Sequence, residues 1–210
     1  MVKVTAPLMS QDASGSLGKS IVFAKWKGRN YVRQLVTPSN PRTVPQRGRR
    51  AIIKFLAQAW KALTSAMQAS YLTLAASNSY STFNAYTSTN ANRWTNGDAP
   101  QQSFQQSTTS TPGTSAAISA TVTGKTANIT ATLTGGNPNN WGTAILRSTA
   151  PAAPTFPADV LAILPTPSGA GTYPFSDGNL PSGSYIYAAQ GFNTDGVLNA
   201  TGATHGVTIP

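Results

Sequence analysis

The residues able to do chemistry are few, and the most suggestive run is Ala13-Ser14-Gly15-Ser16-Leu17-Gly18-Lys19-Ser20. It has the spacing of a relaxed phosphate-binding loop with Ala in place of the first Gly. Such a loop works between a buried strand and a helix whose N-terminal N–H groups and dipole hold the phosphates. Neither flank fits. Pro7 to Asp12 is not an apolar strand, Ile21 to Trp26 is strand-like rather than helical, and no apolar run ends in an Asp that could hold magnesium. The one histidine, His205, lies in a Thr/Gly-rich stretch that reads as a surface turn, and no nucleophile elbow accompanies it. The five Asp stand singly, with Asp98, Asp177 and Asp195 in turn-like settings, so no carboxylate pair is placed by local spacing for glycosidase work. With no Cys, a zinc site is poorly supplied and there is no disulfide framework. The chain therefore reads as a non-enzyme without catalytic residues, cofactor, metal or small-molecule substrate.

The strong signal is charge. Residues 1–97 hold thirteen Lys and Arg against one acid, Asp12, whereas residues 98–210 hold two bases against four acids. Between Lys19 and Lys61 there are eleven bases and no acid, so no internal salt bridge is expected to neutralise them. Their partners are then solvent, another chain or a polyanion, which is an argument about association rather than fold. The residues expected to meet a partner are Lys25, Lys27, Arg29, Arg33, Arg47, Arg50, Lys54 and Lys61, with Trp26 and Tyr31 interleaved among them. They suit acidic subunits of an assembly first, the phosphates of DNA second, and plain solvation third.

The elements that must carry these residues follow from pattern. Ser10 to Ser20 is too polar to bury anything and reads as an arm. Ile21 to Trp26 and Tyr31 to Val36 form a β-hairpin around a four-residue turn, Lys27-Gly28-Arg29-Asn30. Pro38, Pro41 and Pro45 enforce an extended crossing. Thr43 to Gln46 then reads as a capping box opening a helix. From Arg47 to Leu63, Ile52, Leu56, Ala59, Trp60 and Leu63 fall on one stripe, opposite Arg47, Arg50, Lys54, Gln58 and Lys61. A second box, Ser65 to Gln68, starts a helix with Met67, Tyr71, Leu72 and Leu74, and a third covers Ser81 to Trp94. Thr95 to Pro112 has linker composition, with only Phe104 to bury. Beyond it, seven strands recur between Gly/Pro/Asn turns: Ala117–Val122, Ala127–Leu133, Thr143–Arg147, Val160–Leu164, Thr172–Phe175, Tyr185–Phe192 and Gly206–Ile209.

Leu180-Pro181-Ser182-Gly183-Ser184-Tyr185, the alternation Tyr185, Tyr187, Ala189 and the turn Asn193-Thr194-Asp195-Gly196 resemble the sixth strand and tyrosine corner of fibronectin type III domains. That resemblance implies a Tyr185 hydroxyl returning to the backbone upstream, Leu180 beneath it, and Trp141 as a core tryptophan. Seven strands in about a hundred residues agree with an Ig-like sandwich.

The front half carries a second pattern. Gly18-Lys19-Ser20-Ile21-Val22-Phe23, Trp26-Lys27-Gly28-Arg29-Asn30-Tyr31-Val32-Arg33, Pro38-Ser39-Asn40-Pro41-Arg42-Thr43, Gln46, Arg50 and Trp60 are similar to a family of small proteins encoded among the structural genes of tailed bacteriophages. What the resemblance implies is virion context.

The expected architecture is thus an α+β N-terminal domain over 1–97, a β-hairpin plus short helices serving as a basic anchor, a linker over 98–112, and an all-β Ig-like, fibronectin type III-like sandwich over 113–210. The expected role is a non-enzymatic virion structural protein. Its basic domain docks on capsid, neck or tail, and its sandwich is displayed outward as a decoration or fibre-like accessory. The alternative is a DNA-associated architectural or packaging protein. Expected partners are other virion proteins, copies of itself as a homo-oligomer and, in the alternative, DNA. No apolar run approaches the ~20 residues of a membrane span. With Met1 to Ser10 lacking the apolar core of a secretory signal, the chain is expected to begin near Met1, be made in the reducing host cytoplasm and end in the virion.

Overall fold

A computed structural model describes residues 2–3, 14–18, 20–36, 42–105, 117–133, 140–165, 171–199 and 202–210. The chain divides into two compact units, Met1–Pro41 and Arg42–Pro210. The boundary expected at residue 97 is therefore displaced to Pro41, among the prolines of the crossing.

The first unit is an antiparallel sheet of β1 (Val2–Lys3), β2 (Gly15–Leu17), β3 (Ile21–Trp26) and β4 (Arg29–Gln34), in the order β1-β4-β3-β2. Part of the expected arm is thus a strand: β2 sets Gly15 opposite Phe23 and Leu17 opposite Ile21. Ser10 to Ala13, the rest of that arm, lie outside the described residues, as do Lys19 and Pro38 to Pro41. The hairpin turn is tighter than expected. Trp26 pairs with Arg29, so Lys27 and Gly28 alone make the turn, with φ of 48° and 75°. Two consecutive positive φ values give the two-residue turn whose twist matches the flanking strands, and Gly28 supplies one without steric cost. Strand β4 accordingly runs Arg29–Gln34 rather than Tyr31 to Val36.

The second unit begins with α1 (Val44–Trp60). Thr43 is its N-cap and Pro45 sits in the first turn, but the Thr43 hydroxyl makes no capping bond, so the expected box marks the start without forming. The chain after Trp60 tightens into 3₁₀-type bonds, including Ala62 N–H to the Ala59 carbonyl at 2.9 Å. Thr64, not Ser65, caps α2 (Ser65–Ala69) by accepting from the Met67 N–H. The Gln68 amide instead donates to the Trp60 and Leu63 carbonyls, 3.0 and 3.4 Å away, satisfying the end of α1. The expected second helix is broken into α2 and α3 (Leu72–Ser77) around buried Tyr71. The helix expected over Ser81 to Trp94 forms as α4 (Thr82–Thr95), with Ser81 as its N-cap accepting from the Asn84 N–H.

All seven expected strands form: β5 (Ala117–Thr123), β6 (Thr126–Leu133), β7 (Asn140–Thr149), β8 (Val160–Pro165), β9 (Gly171–Asp177), β10 (Gly183–Asn193) and β11 (His205–Ile209). They make two antiparallel sheets, β5-β6-β9 and β11-β10-β7-β8, an arrangement compatible with a sandwich. Ile129 and Ala131 of the first pack with Ile145, Leu161, Tyr187, Ala189 and Val207 of the second. His205 is not in a loop but opens β11, opposite Tyr187.

The other face of β11-β10-β7-β8 is covered by the helices. Ile52, Phe55, Leu56 and Trp94 share one core with Ala144, Leu146, Val160, Ala188 and Phe192. The Phe55 ring lies 5.1 Å from Trp141 and 5.4 Å from Phe192, and Trp94 lies 4.5 Å from Phe156. Helix α1 touches β8 so closely that a Cβ on Gly48 would fall 2.6 Å from the Val160 carbonyl oxygen, which only glycine permits. The helices and the strand-built region are therefore layers of one body rather than separate domains.

The segment expected as linker starts as a strap within that body. Gln101 donates its N–H to Asn90 Oδ1 at 2.7 Å, and its carbonyl accepts from Asn90 Nδ2 at 3.1 Å and the Tyr71 hydroxyl at 3.2 Å. Phe104 stacks near Tyr71, ring centres 5.7 Å apart. Residues 106–112 lie outside the described residues. Among the described residues no helix is long and apolar enough to cross a membrane.

Candidate functional site

The expected partner-binding residues fall into two sets on separate units. On the first unit, Lys25, Trp26, Lys27, Arg29, Tyr31 and Arg33 occupy the hairpin, and its register sorts them. Alternation places Val22, Ala24 and Trp26 on one face with their cross-strand partners Arg33, Tyr31 and Arg29. The opposite face carries Ile21, Phe23 and Lys25 with Gln34, Val32 and Asn30. One face thus gathers two guanidinium groups around two aromatic rings, and Lys27 at the turn brings its ammonium to 4.9 Å from the Trp26 ring centre. Trp26 is 65% exposed, and none of residues 14–36 with described burial is buried.

On the second unit, Arg50, Lys54 and Lys61 lie exposed on or just past α1. Arg47 does not join them. It donates to Asp177 Oδ1 at 2.7 Å, while Arg147 donates to Asp177 Oδ2 at 2.6 Å and the Tyr187 hydroxyl donates to the same oxygen at 2.9 Å. The side chain of Asp177 is fully buried, those of Arg47 and Arg147 27% and 14% exposed. The expectation that no internal salt bridge serves the basic region is corrected at this point: an acid 130 residues away closes on Arg47. Asp177 likewise is no turn residue but the buried end of β9. Sequence reasoning missed the whole cluster, because nothing local relates Arg47, Arg147, Asp177 and Tyr187.

Gly15–Leu17 is a strand followed by strand β3, so no helix N-terminus stands behind the phosphate-loop-like run. Among the described residues no group of three or more His, Asp or Glu is placed to hold a metal. A mostly apolar cleft of about 200 Å³ is lined by Gly48, Ile52, Ile53, Trp94 and Pro157, with Arg49 beside them.

Three phenols are shifted. Burial pushes Tyr71 up to about 12, against smaller opposing effects of its bond with Asn90 and the charge of Arg93. Burial also raises Tyr86, helped by Tyr71, and raises Tyr187, helped by the charge of Asp177. A raised folded value means that stability is fully present below the unfolded value near 10 and is lost as pH climbs from there through 12. Each such tyrosine steepens the loss by up to about 1.4 kcal/mol per pH unit. Denaturant midpoints measured from pH 9 to pH ~11.5 should hold to about pH 10 and then fall steeply; an unchanged midpoint across that range would contradict the burial of these phenols.

Neither family models nor curated proteins nor solved structures give a match to this chain.

Proposed function

We propose that the chain is a non-enzymatic structural component of a tailed-phage particle. Its first unit docks on neighbouring virion proteins of capsid, neck or tail, and its second unit is the body held there. The observation that carries this reading is that none of the residues 14–36 whose burial is described is buried. Among its described residues Phe23 and Val32 are only half-covered and Ile21 is 38% exposed, and small sheets are stable when one face packs on something else. The W-K-G-x-x-Y-V-R and P-x-N-P-x-T patterns, which resemble those of tailed-phage structural proteins, support the virion setting. Lys25 on the apolar face, and Arg50, Lys54 and Lys61 of the second unit, would meet acidic neighbours.

The second unit is read as an Ig-like, fibronectin type III-like sandwich with a helical layer added. Two features support this: the sheet orders β5-β6-β9 and β11-β10-β7-β8, and the Tyr185 hydroxyl donating to the Pro181 carbonyl at 3.0 Å above buried Leu180.

The test is incorporation. Purified particles assembled with the intact chain should show it by mass spectrometry and as added density in negative stain. The Phe23→Asp/Val32→Asp variant, which puts charge on the apolar face, should be lost from the particles. Equal incorporation of both proteins would overturn the docking role of the sheet.

A further inference from the structure

We infer that the opposite face of the first unit's sheet, bearing Trp26, Arg29, Tyr31 and Arg33, binds a single strand of nucleic acid by stacking its bases and neutralising its phosphates. The two readings use opposite faces of one sheet and fail separately. Duplex binding would need only cations. This face holds more, because its cross-strand register alternates function: Trp26 opposite Arg29, Ala24 opposite Tyr31, Val22 opposite Arg33. Trp26 and Tyr31 are therefore diagonal neighbours, about 7–8 Å apart, a separation suited to successive unstacked bases of an extended strand. Ala24 and Val22 are small enough to leave the rings standing above the face. Arg29 and Arg33 are exposed beside those rings, and Lys27 already sits against Trp26.

Charge selects the occupant. No acidic residue lies among the described residues of this unit, and the cations of this face suit an anionic occupant. A ring exposed to 65% between cations is the arrangement that makes strand binding tolerant of sequence, since every base has a face to stack. An acidic protein would satisfy the cations but leave the stacking surface without a use.

The experiment is an anisotropy titration of the full chain against a labelled oligothymidylate of about 12 nucleotides, at several salt concentrations. Binding should weaken as salt rises. Arg29→Ala and Arg33→Ala should each flatten the logarithmic salt slope by about 0.7. Trp26→Ala should weaken binding about tenfold while Trp26→Phe keeps most of it. Because Trp26 is exposed, neither change threatens the fold. The inference is overturned if Trp26→Ala binds like the native chain, if the matching duplex binds as tightly as the single strand, or if polyglutamate displaces the strand at equal charge.

Discussion

Residues 98–210 expressed alone are expected to give a chain that exposes apolar surface and fails to melt cooperatively, whereas residues 42–210 melt in one sharp transition. The reason is the second face of the sheet β11-β10-β7-β8. Cutting at residue 97 uncovers Ala144, Leu146, Val160, Ala188 and Phe192 together. It also removes Ile52, Phe55, Leu56, Tyr71, Tyr86 and Trp94, whose burial contributes about 1.5–3 kcal/mol for each large side chain. That loss is comparable with the whole 5–15 kcal/mol that holds a typical domain. The strap bonds of Gln101 to Asn90 and Tyr71 go with it. Calorimetry and dye binding on the two fragments decide the matter. A monomeric 98–210 fragment with a sharp transition and no dye binding would restore the boundary expected from composition and deny the shared core.

That boundary was misread for a physical reason. Hydropathy patterns report that a face is apolar, not what covers it. Seven strands were legible because Gly, Pro and Asn punctuate them, and α1 because its apolar stripe is local. What covers the sheet is not local. The signal lay in β10, where Tyr187 and Ala189 point to one core and Ala188 and Phe192 to the other. A strand apolar at both parities is covered on both faces. Thr95 to Phe104 looked like linker because it is polar, yet its polar groups are spent on buried hydrogen bonds. The hairpin site was the more legible part. A two-residue turn in place of the expected four shifts each cross-strand partner by two, which leaves every side chain on the face alternation assigns. Arg47, one of the ten expected partner-binding residues, is committed within the second unit, since the charge that claims it arrives through tertiary contact.

Asp177→Ala should destabilise the second unit by about 3–5 kcal/mol, the range for breaking a buried ion pair by removing one partner. The carboxylate is fully buried and serves two guanidinium groups and a phenol. Its removal strands Arg147 in a site 14% exposed and leaves the Tyr187 hydroxyl without its acceptor. Arg47→Ala should cost less, because Arg147 still neutralises Asp177 and the Arg47 site is nearer to water. This ordering separates the cluster from a surface pair, for which either truncation changes stability by about 0–1 kcal/mol. Salt gives a second discrimination: the Asp177→Ala deficit should persist at ~1 M salt, where exposed pairs are screened over about 3 Å. Replacing Asp177, Arg47 and Arg147 together by Leu, Met and Met should recover much of the loss, since apolar groups of similar volume need no desolvation. Urea midpoints for the single and triple variants supply these numbers. A deficit for Asp177→Ala below about 1 kcal/mol would remove the cluster from the forces that clamp α1 to the sheets. Arg47 would then return to the exposed cations as a residue available to partners.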